Sequence, residues 1–296
     1  MSFDGIVARF EPGSRLLGAR RLAGGASAES TALEIERPDG SRLRRVVRRH
    51  GEGDRAVNPD VARDEYELLR LLAAEGFAVP APRALDASGT ILPTPYILTD
   101  FVEGTSEVPP AGRTAAADRM AAELARLHRL GAGDPRLAFL LRRDALSRGE
   151  IAKEQAAPED RDVEQTIRTA LQPYWPPPQS EAVLLHGDFW PGNLLWGGDS
   201  LAAVIDWEDA CLGDPLIDLG PARLELLWLW GEACEHRFTA RYGELSGRSL
   251  DRLPLYDLWT ALRALLRLPG WGLPAEEAAE KRRLLRAFVE AALAAL

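Results

Sequence analysis

Apolar residues mark a strand-turn-strand unit and a helix in the first 80 residues. The stretches TALEIE and RLRRVVRR flank the turn signal RPDG, which predicts β-structure over residues 20–49. Beyond this unit, apolar residues recur with helical spacing at positions 61, 68, 69, 71 and 72. Asn58 as N-cap, Pro59 at the first helical position and Gly76 as the stop complete the predicted helix.

Later in the chain the pattern changes from strands to helices. The elements that it predicts are a strand at PYILTDF, a helix over residues 114–130, short apolar strands at 182–186 and 201–206, and helices beyond Asp214 with Pro254 and Pro274 near two helix starts. We therefore expect an α+β protein with three parts: a small sheet-rich part at 1–100, a connection at 101–104 and a larger, mainly helical part at 105–296.

Composition and charge narrow the class of protein. The chain has 296 residues and a net charge of −9, which argues against nucleic-acid binding, because phosphate contact needs clustered Lys and Arg. No apolar run reaches the length of a membrane span, and the N-terminus lacks the pattern of a signal peptide. The two cysteines, Cys211 and Cys234, form neither a disulfide framework nor a zinc pattern. We expect a cytoplasmic protein.

Residues 184–196, LLHGDFWPGNLLW, place polar groups inside an apolar segment. Asp188 and Asn193 lie five residues apart across a Pro-Gly bend, and Asp206 ends the next apolar strand. A hairpin-like arrangement of the flanking strands would bring the three side chains together. Two of them suit Mg²⁺, which prefers oxygen ligands, and a carboxylate off the metal can accept a proton. The alternative is a pair of buried polar turns with Asp188 and Asn193 as caps.

HGDFWPGNLLW followed by VIDWE resembles the aminoglycoside phosphotransferase and choline kinase-like families, which have a protein-kinase-like fold. This resemblance implies that Asp188 is the catalytic base and that Asn193 and Asp206 bind Mg²⁺. It also implies that His186 braces the loop, and that three further residues have structural roles: His128, Asp214 and Asp218. The expected fold is two-lobed, with a small antiparallel-sheet N-terminal lobe and a larger helical C-terminal lobe.

The resemblance also places ATP on the first lobe. The residues at the position of the glycine-rich loop are Gly24, Gly25, Ala26 and Ser27. The phosphate-binding lysine is absent; Arg48 aligns best with it, Arg49 is the competitor, and Glu65 is the expected partner. Asp100 C=O and Val102 N–H are expected to hold the adenine edge.

These features together predict a small-molecule kinase that transfers the γ-phosphate of ATP to a hydroxyl. The net charge of −7 over residues 105–296 favours a cationic acceptor, such as an aminoglycoside, choline or another amino alcohol, while sugars, short hydroxyacyl compounds and macrolides stay open. Four tryptophans are candidates for the acceptor pocket: Trp228, Trp230, Trp259 and Trp271. A nucleotide-binding pseudokinase acting as an interaction module is the alternative, because arginine replaces the lysine. A protein kinase is disfavoured, since H-G-D replaces H-R-D and the segment between Asp206 and Asp214 is short. Oligomeric state stays open.

Overall fold

The structure, a computed structural model, describes residues 3–22, 28–143, 156–175, 177 and 180–296. Its internal contacts divide the chain into two compact units. The first unit comprises Met1–Ser106 and Leu194–Glu208, and the second comprises Glu107–Asn193 and Asp209–Leu296. The first unit therefore contains a segment that lies far along the chain from the rest of it.

A five-stranded antiparallel sheet forms most of the first unit. Its strands are β1 (Arg15–Arg21), β2 (Ala28–Glu36), β3 (Arg42–His50), β4 (Pro82–Asp86) and β5 (Tyr96–Asp100), in the order β1-β2-β3-β5-β4. The RPDG turn joins β2 to β3, with Gly40 N–H donating to Arg37 O at 2.9 Å. The predicted strand pair and the strand at PYILTDF are thus present. Helix α1 (Asp4–Phe10), which the sequence analysis missed, buries Ile6 and Val7 against the sheet.

Helices α2 (Glu52–Val57) and α3 (Val61–Ala74) follow β3. The apolar stripe of α3 is buried as its spacing predicts, and Gly76 stands just past the helix with φ 77°. The predictions of Asn58 as N-cap and of Pro59 as the first helical position are wrong, because α3 begins at Val61 after Asp60. The Asn58 side chain instead accepts from Asp60 N–H at 3.0 Å and donates to Asp64 at 2.8 Å, which closes the turn between the two helices.

Four short strands follow the middle of the chain: β6 (Val183–Leu185), β7 (Leu194–Gly197), β8 (Ser200–Val204) and β9 (Cys211–Gly213). The strands predicted at 182–186 and 201–206 exist, as β6 and β8, but the pairing predicted for them is wrong. β6 pairs with β9 in the second unit, and β8 pairs with β7 in the first. The reason is local: Gly198, with φ 64°, and Asp199 form a two-residue turn that folds β8 back onto β7.

The second unit is mainly helical. Its helices within the described residues are α4 (Arg113–Leu127), α5 (Arg161–Leu171), α6 (Leu216–Trp230), α7 (Glu232–Ser246), α8 (Leu253–Arg267) and α9 (Ala275–Ala294). Helix α6 packs against α7, α8 and α9, and α4 packs against α7. Pro254 lies in the first turn of α8 and Pro274 caps α9, as predicted. Among the described residues, no helix combines the length and the apolar character that a membrane span needs.

Candidate active site

Arg48, on β3 of the first unit, reaches three carboxylates. Its Nε donates to Glu65 at 3.2 Å, and its Nη2 donates to Glu208 at 2.6 Å and also contacts Asp206. Only 13% of the Arg48 side chain is exposed. One guanidinium therefore holds three carboxylates of the first unit together in a buried place.

Glu65 lies on α3 and is held ionised by its neighbours. Burial alone would raise the pKa of Glu65, but the charge of Arg48 and the hydrogen bond with His50 lower that pKa to about 2. His50 Nε2 lies 2.5 Å from Glu65 Oε2. The sequence analysis missed His50, although the two-residue period of a strand places it on the same face as Arg48. Arg49 points elsewhere and pairs with Glu29 on β2 at 2.5 Å.

Asp206 lies two residues beyond β8 in an unusual backbone conformation. Its φ of 72° is the one positive φ found for a non-glycine residue in the described parts of the chain. Such a conformation typically costs about 1–3 kcal/mol and is concentrated at functional sites. Arg48 contacts Asp206 Oδ1, while Oδ2 accepts no hydrogen bond from any residue that the structure describes.

Apart from Arg48 and Glu65, the residues predicted to bind the nucleotide fall into two groups: those outside the described residues and those at the end of β5. Gly24, Gly25, Ala26 and Ser27 lie outside the described residues. Asp100 ends β5, and its carboxylate pairs with Arg45 and with Arg83, whose Nε donates at 2.8 Å. Val102 N–H, two residues further on, donates to no acceptor within the described ranges. A backbone donor of this kind is available to a ligand.

In the second unit, residues 186–188, here called the HGD loop, follow the end of β6. Gly187 has φ 86°, and a Cβ at this position would lie 2.2 Å from Asp209 O, so only glycine fits. Asp218, at the start of α6, accepts the backbone N–H groups of His186 and Gly187 at 2.8 Å each. Burial would raise the pKa of Asp218, but hydrogen bonds and nearby histidine lower it. The buried carboxylate of Asp218 therefore fixes the backbone of the loop by two hydrogen bonds.

A polar network supports Asp218 in turn. His128 contacts Asp218 Oδ2 through Nε2 at 3.2 Å, and its Nδ1 lies 2.7 Å from the Tyr242 hydroxyl. Asp214 accepts Leu216 N–H at 3.0 Å and binds Arg252 and Tyr256, both at 2.8 Å. His128, Asp214 and Asp218 thus brace the loop and α6 within the second unit.

The side chain of Asp188 is oriented through one of its two oxygens. Asp188 Oδ2 accepts from Trp190 Nε1 at 3.2 Å and from Asn193 Nδ2 at 2.9 Å. Asn193 Nδ2 also donates to Asp188 O at 2.9 Å. The indole of Trp190 lies over Gly192, where a Cβ would come within 2.2 Å of the ring. Asp188 Oδ1 accepts no hydrogen bond from the described part of the chain and is open to a ligand.

Oxygen donors for a divalent cation are present on both Asn193 and Asp206. The Asn193 amide nitrogen donates to Asp188, which leaves Asn193 Oδ1 as a candidate metal ligand. Asp206 offers Oδ2. Within the described residues, no group of three or more His, Cys, Asp or Glu side chains could hold a metal ion. Mg²⁺ prefers oxygen ligands of this kind. It usually takes one or two of them from the protein and fills its other positions with waters and substrate phosphates.

The candidate pocket tryptophans differ in their surroundings. Trp259 is 1% exposed and stacks on Trp175 with ring centroids 6.4 Å apart, so it belongs to the core. Trp228 and Trp271 meet edge to face at 5.8 Å, and Trp271 is 41% exposed. Trp228 and Trp230 are partly exposed, so Trp228, Trp230 and Trp271 are the candidates with access to a ligand.

Comparisons with solved structures show the fold. An aminoglycoside 2″-phosphotransferase in complex with GDP and kanamycin is 20% identical with a TM-score of 0.67, and 98% of each chain is covered. A macrolide 2′-phosphotransferase from Brachybacterium faecium is 23% identical with a TM-score of 0.62, covering 99% of this chain and 97% of the other. The predicted α+β fold of the protein-kinase-like type is confirmed.

Curated relatives are of two kinds. Homoserine kinase of Rhodospirillum rubrum is 30% identical over 241 residues, which cover 74% of this chain and 72% of that enzyme. Acyl-CoA dehydrogenase family member 11 of Pongo abelii is 26% identical over 223 residues, 70% of this chain, but the chain spans only 28% of its length. The model of the phosphotransferase enzyme family matches residues 18–256. This chain belongs to the phosphotransferase enzyme family.

Proposed function

We propose that the chain transfers the γ-phosphate of ATP to a hydroxyl group of a small molecule, with Asp188 as the base. The observation that carries this proposal is the asymmetry of the Asp188 carboxylate. Trp190 and Asn193 both donate to Oδ2, which orients the group and leaves Oδ1 open. A carboxylate held in this way can position an incoming hydroxyl and receive its proton.

The proposed step forms one bond to the γ-phosphorus and breaks another. The hydroxyl oxygen forms a bond to the γ-phosphorus, and the bond from that phosphorus to the bridging oxygen breaks, so that ADP leaves. The hydroxyl proton passes to Asp188 Oδ1. Asp218 keeps the loop in place through the N–H groups of His186 and Gly187, so Asp188 need not reorganise during transfer.

Nucleotide binding is proposed for the first unit. Arg48 would contact the phosphates while Glu65 holds its guanidinium, and Val102 N–H with Asp100 C=O would hold the adenine edge. Gly24, Gly25, Ala26 and Ser27, which lie outside the described residues, are proposed as phosphate contacts on the sequence alone. Asn193 and Asp206 would hold Mg²⁺, which supplies charge neutralisation to the phosphates when it is bound.

The acceptor is proposed to carry a cationic group, which the net charge of −7 over residues 105–296 supports. Homoserine kinases among the relatives are named for an acceptor that has a hydroxyl and an ammonium group.

We also propose a cytoplasmic location, with which the two unpaired, buried cysteines agree.

ADP release from the purified protein, screened against a library of hydroxyl compounds, tests this function. We expect Asp188→Asn to lower kcat by about 10²- to 10⁴-fold, the usual contribution of a positioned base. Asp118→Asn is the matched control, because Asp118 lies on the surface of the same unit and, among the described residues, pairs with Arg237. Wild-type turnover by the Asp188 variant would refute the role of the base. Stabilisation by ATP without turnover of any acceptor would instead favour the interaction module.

A further inference from the structure

Four residues of the second unit form a mixed group that the proposed reaction has not used. They are Glu225 and Trp228 on α6, Trp271 in the short 3₁₀ helix Leu268–Trp271, and Lys281 on α9, here called the Lys281 cluster. Glu225 and Trp228 are three residues apart and so lie on the same side of α6. Helix α6 packs against α9 and also against the 3₁₀ turn Pro191–Asn193 that follows Asp188. The cluster therefore belongs to the surroundings of the HGD loop.

Lys281 is held by aromatic rings. Its ammonium nitrogen lies 4.2 Å from the centroid of Trp228 and 5.9 Å from that of Trp271. Trp228 Nε1 donates to Lys281 O at 3.1 Å, which fixes the indole against α9. No carboxylate of the described chain forms an ion pair with this ammonium. Cation–π contact orients a charge without neutralising it, so Lys281 can still bind an anion.

Glu225 supplies the opposite charge. It accepts no hydrogen bond from any residue within the described ranges. The pKa of Glu225 is raised to about 7, chiefly by burial, while the charge of Lys281 acts to lower it and the charge of Asp188 to raise it. Glu225 stands one helical turn before Trp228, whose ring Lys281 contacts, so it lies on the side of α6 that carries this contact. A cationic ligand group would satisfy it.

We infer that the Lys281 cluster binds an acceptor that is a hydroxy amino acid, with Lys281 on its carboxylate and Glu225 on its ammonium group. This inference rests on the proposed function, because it names the acceptor of the same site. The ammonium of Lys281 already lies over the Trp228 ring and near that of Trp271. An acceptor with cationic groups alone would therefore place like charge against that ammonium, whereas a zwitterion matches both charges.

A crossed experiment separates the two contacts. Three probes are compared as acceptors: L-homoserine, its carboxamide, which lacks the carboxylate, and 4-hydroxybutyrate, which lacks the ammonium group. ADP release gives kcat and KM, and calorimetry on Asp188→Asn gives binding without turnover. We expect the wild type to prefer L-homoserine over each analogue by at least about tenfold, chiefly in KM, since one charged contact is lost with each.

Two variants should each lose one preference only. Lys281→Met should abolish discrimination against the carboxamide and keep discrimination against 4-hydroxybutyrate, while Glu225→Gln should do the reverse. Lys281→Arg retains the charge and should restore most of the carboxylate preference. Glu280→Gln, on the exposed face of α9, is the control for Glu225→Gln and should behave as wild type. Thermal melts check that each variant is folded, and Lys281→Gln replaces Lys281→Met if that variant melts early.

The proposal and the proposed function fail in different ways. A wild type that shows no preference for L-homoserine in binding or turnover overturns the assignment of the cluster, as does retention of the carboxylate preference in Lys281→Met. Turnover of a cationic acceptor without a carboxylate, such as kanamycin, in preference to all three probes would also overturn it while leaving the kinase function intact. Wild-type turnover by Asp188→Asn would instead refute the kinase mechanism.

Discussion

Replacing Asp218 with asparagine removes one charge from the buried centre of the second unit and turns an acceptor into a donor. Asp218 Oδ1 and Oδ2 accept Gly187 N–H and His186 N–H, and Oδ2 also contacts His128. An asparagine oxygen can keep one backbone bond as a neutral bond, but its NH₂ group would face the other N–H. Each hydrogen bond to a charged group contributes about 1.5–3 kcal/mol, and breaking a buried charged network costs about 3–5 kcal/mol. We therefore expect a loss of about 3–5 kcal/mol.

Thermal unfolding measures this loss. At roughly 2 °C per kcal/mol for a large domain, Asp218→Asn should lower Tm by about 6–10 °C. The matched control, Asp118→Asn, removes the same charge from a surface pair with Arg237 and should cost no more than about 1 kcal/mol. If the two variants lowered Tm equally, the account of Asp218 as the support of the loop would be wrong.

The penalty of Asp218→Asn should also depend on pH. Burial would raise the pKa of Asp218 in the folded state, but its hydrogen bonds and His128 outweigh burial and hold that pKa below the usual value of an aspartate. A group with a depressed folded pKa stabilises the protein above its unfolded pKa, and this stabilisation is lost as pH falls through the folded pKa. The difference in Tm between Asp218→Asn and the wild type should therefore be constant near neutrality and shrink below about pH 4.

Two further predictions concern the backbone at Gly187 and the contact of His50 with Glu65. Gly187→Ala should cost about 2–5 kcal/mol in urea unfolding, because φ is positive and Asp209 O lies at 2.2 Å from the new Cβ; Gly198→Ala, with positive φ but nothing within 4 Å, should cost only about 1–2 kcal/mol. Equal losses would contradict the clash. His50→Phe should raise KM for ATP by about tenfold with little change in acceptor KM, since Glu65 loses the bond that helps it hold Arg48, and His50→Gln should partly restore it. An unchanged KM for ATP would contradict that role.

Several elements of this structure could be predicted from residues that lie close together in the sequence. The β2–β3 pair follows from its turn residues, α3 from its apolar spacing, and the HGD loop from residue types at set positions. Their placement depends on neighbours in sequence, so it could be predicted. The predicted pairing of 182–186 with 201–206 was wrong, because the turn at Gly198 and Asp199 gives β8 a nearer partner in β7.

The sequence by itself determined the family, the class of fold and the residues of the loop, because these depend on residue types a few positions apart. Only the tertiary structure decided what supports and surrounds them. Asp218 lies 32 residues from His186 and 90 from His128, and Trp228 lies 53 from Lys281. Such contacts depend on how helices pack over long separations, and no local period records them. The tertiary structure therefore supplied His50 beside Glu65, the buried network under the loop, and the ammonium held by two indoles.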